Sequence, residues 1–433
     1  MTRRPWLRHL LLAGLALGLA LGLLELGART LLPILRGSEL EPGALRQRAL
    51  RVAALEEPPL RQGQAPGWSR HYLLHPYLGF VRDPDAPRDL SDGRMAPEAV
   101  NAWGFFGPGP IRPAREGVVT VAVLGGSFAM ELELFAGDVL RDALAARPDF
   151  AGQEVELVNL ALEGMKQPQQ LLALQYVLAL GSHIDYVVDL DGFNEVVLPL
   201  TDNRPFGVAT HYPRAWPLFA SRGLDVEAQV RLGRLSGLAT RRREAARALT
   251  GSWRRRSALA LLLWSIRDGA EAKQAEAVRA ELREHLRQRG RRHSLQEAGP
   301  PDGDADEAAT RVRAVGLWRR GSEELARLTK AHGIVYLHAL QPNQYFAPGR
   351  HFTAWERKNA FADEGHDYRR LASAGYPALV TAGERIAAQG IPFVDLTGIF
   401  DAEPESVYRD RCCHLNERGY SRVALAIADR LGR

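Results

Sequence analysis

The sequence predicts an α/β protein: a three-layer α/β/α sandwich around a parallel five-stranded sheet, behind an apolar N-terminal segment and interrupted by a helical insertion. Three observations carry that reading. Short, continuous apolar runs rich in β-branched residues end at turn signals, as fully buried parallel strands do. Helical patterns separate these runs, and strands alternating with helices imply a sheet covered on both faces. Ahead of them, arginines precede a stretch of leucine, alanine and glycine of the kind that enters a membrane.

That first segment sets the compartment. Arg3, Arg4, Arg8 and His9 precede Leu10 to Leu24, a run without a polar side chain. Glu25 interrupts it, and Leu26 to Leu35 continues mostly apolar with Arg29. A span needs about 20 apolar residues and a signal-peptide core roughly 7–15, so the uninterrupted run fits either. Counted from Trp6 to Ala28 it reaches spanning length, because Arg8 can snorkel and Glu25 can lie near the outer interface. Leu26-Gly27-Ala28 is a poor A-x-A cleavage site, which favours an uncleaved signal-anchor over residues 1–36 rather than a removed signal. Arginine before the segment keeps the N-terminus cytoplasmic, so the remainder is expected on the periplasmic side of the inner membrane, single-pass.

Residues 37–117 are rich in Pro, Gly and Arg, with Pro58-Pro59, Pro66-Gly67 and Gly107-Pro108-Gly109-Pro110 as breakers, and read as stalk and lead-in. The main domain, 118–433, opens with Val118 to Leu124, a buried strand that ends in Gly125-Gly126-Ser127. A helix follows from about Phe135 to Ala146. Glu154 to Asn159 is the second strand and Gln167 to Leu180 the second helix. Tyr186 to Leu190 is the third strand, closing at Asp191-Gly192-Phe193-Asn194. Ile334 to Ala339 and Pro392 to Asp395 read as the fourth and fifth, with a helix from Tyr376 to Gln389 between them and another from Ser421 to Leu431 at the end. The interval 200–330 is arginine-rich and helical in pattern, with Arg241-Arg242-Arg243 and Arg254-Arg255-Arg256, and reads as an insertion after strand three. A solvated helical face accounts for those basic runs. The sharper alternative lays Trp253 to Trp264, basic then apolar, on an anionic membrane surface, although a buried helix explains the apolar half equally well.

Composition excludes several function classes. With 46% hydrophobic and 25% charged residues, general disorder is ruled out. The net charge of +5 is modest over 433 residues, and only Lys166, Lys273, Lys330 and Lys358 are lysines, so no nucleic-acid partner is expected. The two cysteines, Cys412 and Cys413, are adjacent, a spacing that closes a disulfide only through a strained ring. There is thus neither a disulfide framework nor a CxxC metal pattern. Gly125-Gly126 lacks the spacing and the lysine of a phosphate-binding loop.

In an open parallel sheet, ligands bind beyond the carboxyl ends of the strands, and those ends carry the reactive residue types. Ser127 follows the first strand at glycines that permit a tight turn, although a serine there can simply cap a helix. The second strand leads to Glu163-Gly164, whose backbone N–H can face the same crevice. The third leads to Asn194, either a turn former or an amide donor aimed at an oxyanion. Near the C-terminus His414 has Asp410 four residues upstream, a pair able to take a serine proton and stabilise the resulting imidazolium. Singly each is weak; together, in this order at these strand ends, they point to nucleophilic acyl chemistry.

The blocks GGSFA (125–129), NLALEG (159–164), DGFNE (191–195) and DRCCHLNERGY (410–420) resemble the SGNH hydrolase superfamily, also called GDSL esterases, with its SGNH/flavodoxin-like fold. The resemblance covers about residues 100–200 and 330–433, and the stretch Asn101 to Gly107 resembles the lead-in of membrane-anchored bacterial members. It implies Ser127 as nucleophile, Gly164 and Asn194 with the Ser127 N–H as oxyanion hole, and His414 with Asp410 as base and its partner. Three departures stand out. Gly-Gly-Ser replaces the usual GDS, and Gly-Phe-Asn-Glu replaces GxND while keeping the Asn. The family Asp lies three residues before the His, where this chain has Arg411. Either a turn still delivers the Asp410 carboxylate, or the site is a Ser–His dyad oriented by another acceptor, such as a backbone carbonyl.

The implied reaction is attack of Ser127 on an ester carbonyl with His414 as base, requiring no cofactor and no metal. The leading expectation is an esterase removing a small acyl group, O-acetyl above all, from a cell-envelope glycan or lipid. The alternatives are an O-acetyltransferase of the same fold, supplied with acyl groups by a membrane partner and acting on an exopolysaccharide, and a non-catalytic envelope scaffold.

Overall fold

The β-branched runs come together as one parallel sheet. The computed structural model describes residues 5–36, 40–54, 71–90, 94–220, 226–290, 295–300, 302, 306–347 and 349–432. The chain divides into two compact units, residues 1–66 with 223–285, and residues 67–222 with 286–433.

The first unit is helical: α1 (Pro5–Arg36), α2 (Pro42–Ala54), α7 (Val226–Thr250) and α8 (Ala258–Gly290). In α1 the window Leu12–Thr30 has a mean hydropathy of 1.6 and is long and apolar enough to cross a membrane. Residues 42–54 lie in the interval read from sequence as stalk, yet they form a helix with Pro42 at its first position. Leu45, Ala49 and Val52 recur at helical spacing and pack against Ala246 and Leu249 of α7 and Leu261 and Trp264 of α8. Beside that core the buried Asp268 carboxylate accepts from Arg48 of α2 at 2.6 Å and from Arg242 of α7 at 2.7 Å. Part of the arginine excess is therefore structural.

The second unit holds the sheet. A two-stranded antiparallel ribbon, β1 (Tyr72–His75) with β2 (Gly79–Arg82), precedes it. Five parallel strands follow, β3 (Val118–Gly125), β4 (Glu154–Asn159), β5 (Tyr186–Asp191), β6 (Val335–Leu340) and β7 (Phe393–Asp395), in the order β4-β3-β5-β6-β7. Side chains alternate across the sheet. Val119, Val121 and Val123 of β3 face α3 (Ser127–Ala145) and α13 (Glu417–Arg430), while Ala122 and Leu124 face α4 (Gln169–Ala179) and α10 (Glu307–Ala331). Helices thus cover both faces. Short helices complete the unit: α5 (Phe193–Leu198), α6 (Trp216–Ala220), α9 (Leu295–Ala298) and α11 (Ala354–Asn359). The long α12 (Asp367–Ala387) packs on α5, α10 and β7.

Two differences from the sequence reading bear on function. The helix expected from Phe135 begins instead at Ser127 and is kinked at Ala136, whose φ and ψ of −143° and 17° are not helical. Its first turns are buried on every side, so they carry no amphipathic stripe to read. The segment 71–117 belongs to the sheet unit, where Tyr72, Phe80, Val81 and Phe105 join the core.

Where α12 crosses α5, a Cβ on Gly375 would stand 2.5 Å from Val196 Cβ. Gly375→Ala is expected to destabilise the unit by about 1–3 kcal/mol, the usual range for overpacking, read as a lower denaturant midpoint.

Candidate active site

Because the five strands are parallel, the turns at their carboxyl ends gather along one edge of the sheet. Three of the sequence-predicted residues sit in those turns, and the loop before α13 adds the other two. Gly125 (φ +143°) lets the chain leave β3 where a side chain would strike the Leu190 carbonyl and Ala129. Ser127 then opens α3, so its N–H is one of the first-turn donors that the helix leaves unsatisfied, at the positive end of the helix dipole. A Cβ on Gly126 would collide with the Asn194 amide nitrogen and come within 3.2 Å of Met165 O. That glycine lets the Asn194 amide lie directly against the serine turn. Asn194 Nδ2 donates to Met165 O at 2.7 Å, which leaves its second hydrogen for a ligand.

The candidate base comes from the far end of the chain. His414 Nε2 lies 2.8 Å from Ser127 Oγ, and His414 Nδ1 lies 2.5 Å from Asp410 Oδ2. The other Asp410 oxygen accepts from the backbone N–H groups of Cys412, Cys413 and His414 at 2.9, 3.1 and 3.2 Å. Those three bonds wrap residues 410–414 into a tight turn, closed below by pairing between Tyr408 and Leu415. This turn absorbs the extra residue between Asp and His, so a spacing of four still delivers the carboxylate to Nδ1. Arg411, three residues before His414, is exposed. The structure thus brings Ser127, His414 and Asp410 into one hydrogen-bonded chain, with Asn194 beside it.

Gly164 is held by partners remote in sequence. Its φ of +80° suits glycine, and Arg214 packs where a side chain would be. The neighbouring Glu163 accepts from Arg82 Nη1 of β2 at 2.5 Å and from the Tyr72 hydroxyl of β1. Arg82 is itself buried over the Phe106 ring, and its backbone N–H donates to Gly104 O at 3.0 Å. The Asn101 to Gly107 lead-in thereby braces the turn that carries Gly164. On the other side of that turn Lys166 is buried and donates to the carbonyls of Thr210 and Tyr212 at 2.5 and 2.7 Å. Burial lowers its ammonium to about 7 even against the pull of Glu195 and Asp202. The loop it holds leads to Arg214, which pairs with Asp202 at 2.6 Å.

One residue of the site was missed in the sequence. Glu131 lies one helical turn beyond Ser127 and is fully buried, with Oε1 3.9 Å from His414 Nε2. Its Oε2 accepts from Arg94 at 2.8 Å, from Tyr420 at 3.0 Å and from Arg409. An acidic residue four positions after a candidate nucleophile, inside an otherwise apolar turn, is the signal that could have revealed it. Burial raises its carboxyl above the ordinary range, opposed by His414 and Arg94.

Among the described residues, two groups bring metal-ligand atoms close together: Cys412, Cys413 and His414, and Asp189, Asp191 and His338. In the first, both ring nitrogens of His414 already face Asp410 and Ser127. In the second, His338 lies between Ser322 and Asp191, and Asp191 also accepts from Trp318 Nε1 at 2.5 Å.

Compared with protein-family models and with curated proteins, the chain matches none.

Burial works against a charged His414, but Asp410 and then Glu131 outweigh it and raise the imidazole well above its ordinary 6.5. The raised value means that the ion pair adds stability in full below about pH 6.5, and that this contribution is lost as pH rises through the folded value. Asp410 is held below its ordinary 3.8 in spite of its burial, because His414 compensates it. Its contribution is present above that value and is lost as pH falls through the lowered one. An NMR titration of the His414 ring is expected to show a midpoint above 6.5. Asp410→Asn should lower it most and Glu131→Gln less, and an unchanged midpoint in both variants would refute the assignment of these carboxylates.

Proposed function

We propose that the chain is a membrane-anchored serine esterase of the SGNH/GDSL type, acting on a small acyl ester on the periplasmic side of the inner membrane. The observation that carries this reading is the continuous chain from Ser127 Oγ through the His414 ring to the Asp410 carboxylate, at 2.8 and 2.5 Å. With His414 neutral and its proton on Nδ1, Nε2 accepts the Ser127 hydroxyl and takes its proton as Oγ attacks the ester carbon. The tetrahedral oxyanion forms beside the Ser127 N–H, the second Asn194 amide hydrogen and the Gly164 N–H, at a helix N-terminus. His414, now an imidazolium flanked by Asp410 and Glu131, returns the proton to the leaving alkoxide. Water then repeats the sequence to free the acid. These protein groups suffice for each proton transfer in the cycle.

Only 8% of Ser127 is exposed and Arg214 covers Gly164, which favours a small acyl group such as acetyl. A cell-envelope glycan or lipid as the acyl carrier follows from the anchor and from the family's habits. The same Ser127 acyl-enzyme could pass its acyl group to a glycan hydroxyl. Acetate released into water, against acetyl transferred to an added glycan, separates esterase from O-acetyltransferase.

Full-length protein in detergent is expected to hydrolyse p-nitrophenyl acetate and to be labelled by a fluorophosphonate, with Ser127→Ala losing both. Equal labelling of Ser127→Ala would remove the nucleophile assignment, and no reaction of the wild type would favour a scaffold. Asn194→Ala is expected to reduce kcat by about 10²–10³ with little change in KM, as for loss of one oxyanion donor. The pH profile of kcat/KM should rise into the alkaline range, because the base must first lose the proton that Asp410 and Glu131 hold on it.

A further inference from the structure

Within the first unit, one corner of the chain is fastened to the outer part of the apolar helix. Residues Trp253–Arg256 form a short 3-10 turn, and α8 starts just beyond it. The Glu25 carboxylate of α1 caps that start. It accepts from the Ser257 hydroxyl at 2.7 Å and from the backbone N–H groups of Ala258 and Leu259 at 2.7 and 2.9 Å. One turn further along α1, Arg29 bonds Glu25 at 3.0 Å and donates to Arg256 O at 3.0 Å. The height of the corner along α1 is thus fixed by directed bonds. Glu25 is the first charged residue after the apolar run Leu10–Leu24, and Arg29 follows one turn on, so on the anchor reading the corner sits where α1 leaves the hydrocarbon.

What the corner presents suits that level and suits water poorly. Trp253 is 78% exposed, and Arg254, Arg255 and Arg256 are all exposed beside it. One turn apart on the adjoining part of α8, Leu263 and Ile266 are 59% and 62% exposed, while Trp264 between them is buried in the core of the unit. The fold therefore had an inward face available for apolar residues, and these point elsewhere. At a bilayer surface each type has a place: indole at headgroup level, guanidinium groups on phosphates, aliphatic side chains at the acyl boundary.

We infer that the corner Trp253–Ile266 is a lipid-binding surface, seated on the anionic phospholipids of the leaflet through which α1 emerges. The inference rests on reading α1 as a membrane anchor. It gives the basic run and the apolar run that follows it one shared role, and it makes the first unit a membrane-seated platform. Glu25 then serves as the pin that sets the platform's height.

Full-length protein reconstituted into phosphatidylcholine vesicles, with and without phosphatidylglycerol, tests it. The vesicles carry lipids brominated either near the headgroup or near the chain end. The Trp253 emission is read as the difference between wild type and Trp253→Phe, a change at an exposed site that leaves the core intact. Shallow bromines are expected to quench it roughly twofold more than deep ones, as for an interfacial indole. Phosphatidylglycerol should strengthen that quenching, and Arg254→Gln/Arg255→Gln/Arg256→Gln should abolish the strengthening. Protein retained through alkaline carbonate but with Trp253 unquenched at either depth would overturn the lipid surface and leave the anchor standing. Extraction of the protein by carbonate would overturn the anchor and the lipid surface with it.

Discussion

A histidine ring closed off from water, with a carboxylate on either side, is the constraint around which the sheet unit is arranged. His414 is buried, its Nδ1 against Asp410 and its Nε2 between Ser127 Oγ and the more distant Glu131. A buried imidazolium or carboxylate left alone is expensive, so each charge must be compensated where it sits. The compensation spreads outward. Glu131 is matched by Arg94 and Arg409, and Asp410 is matched by His414 and three backbone N–H groups. Arg409 also donates to Leu415 O at 2.8 Å, which ties the partner of Glu131 to the loop that carries the base. Helix α3 is thereby locked by charge to the loop before α13, and by the packing of Phe128 against Tyr420 to α13 itself.

The turn that carries Gly164 is built on the same rule. Gly164 contributes only a backbone N–H, so its position depends wholly on what surrounds it. Glu163, anchored by Arg82 and Tyr72, holds one flank, and Lys166, donating to two carbonyls, holds the other. Asn194 is aimed by Met165 O, an acceptor supplied by that same turn. Two of the three expected oxyanion donors are therefore coupled: a displacement of residues 163–166 would disturb Gly164 and Asn194 together.

How much of this was legible in the sequence follows from the range of the interactions. Strands β3 to β6 were readable because burial on both faces writes a continuous apolar run, and Ser127, Gly164 and Asn194 because they stand at fixed places just past strand ends. His414 was found through its motif. Whether Asp410 reaches it depends on a turn closed by backbone bonds that no residue type announces. Glu131 was missed since its role needs the fold to bring α13 and residue 414 back onto α3. Helix α2 was hidden by its arginines, one of which, Arg48, pairs with Asp268 at a separation of 220 residues, beyond any periodicity. The partition of residues 1–66 with 223–285 is equally non-local.

The two carboxylates create a tension that geometry resolves only in part. By holding a proton on His414 they reduce the fraction of neutral imidazole at pH 7, which in the proposed reaction opposes attack by Ser127. By stabilising the imidazolium they also lower the energy of the state reached as the serine proton is transferred, which favours it. Two charges 3.9 Å apart interact by about 4 kcal/mol at an effective dielectric constant near 20, so Glu131 is close enough to matter on both counts. Its anchoring to Arg94 and Arg409 weakens that influence without removing it. Asp410 is nearer and bonds Nδ1 directly, so it dictates tautomer and ring orientation as well as charge. The division of labour is then physical: Asp410 fixes which nitrogen faces the serine, and Glu131 adjusts how readily that nitrogen gives up its proton.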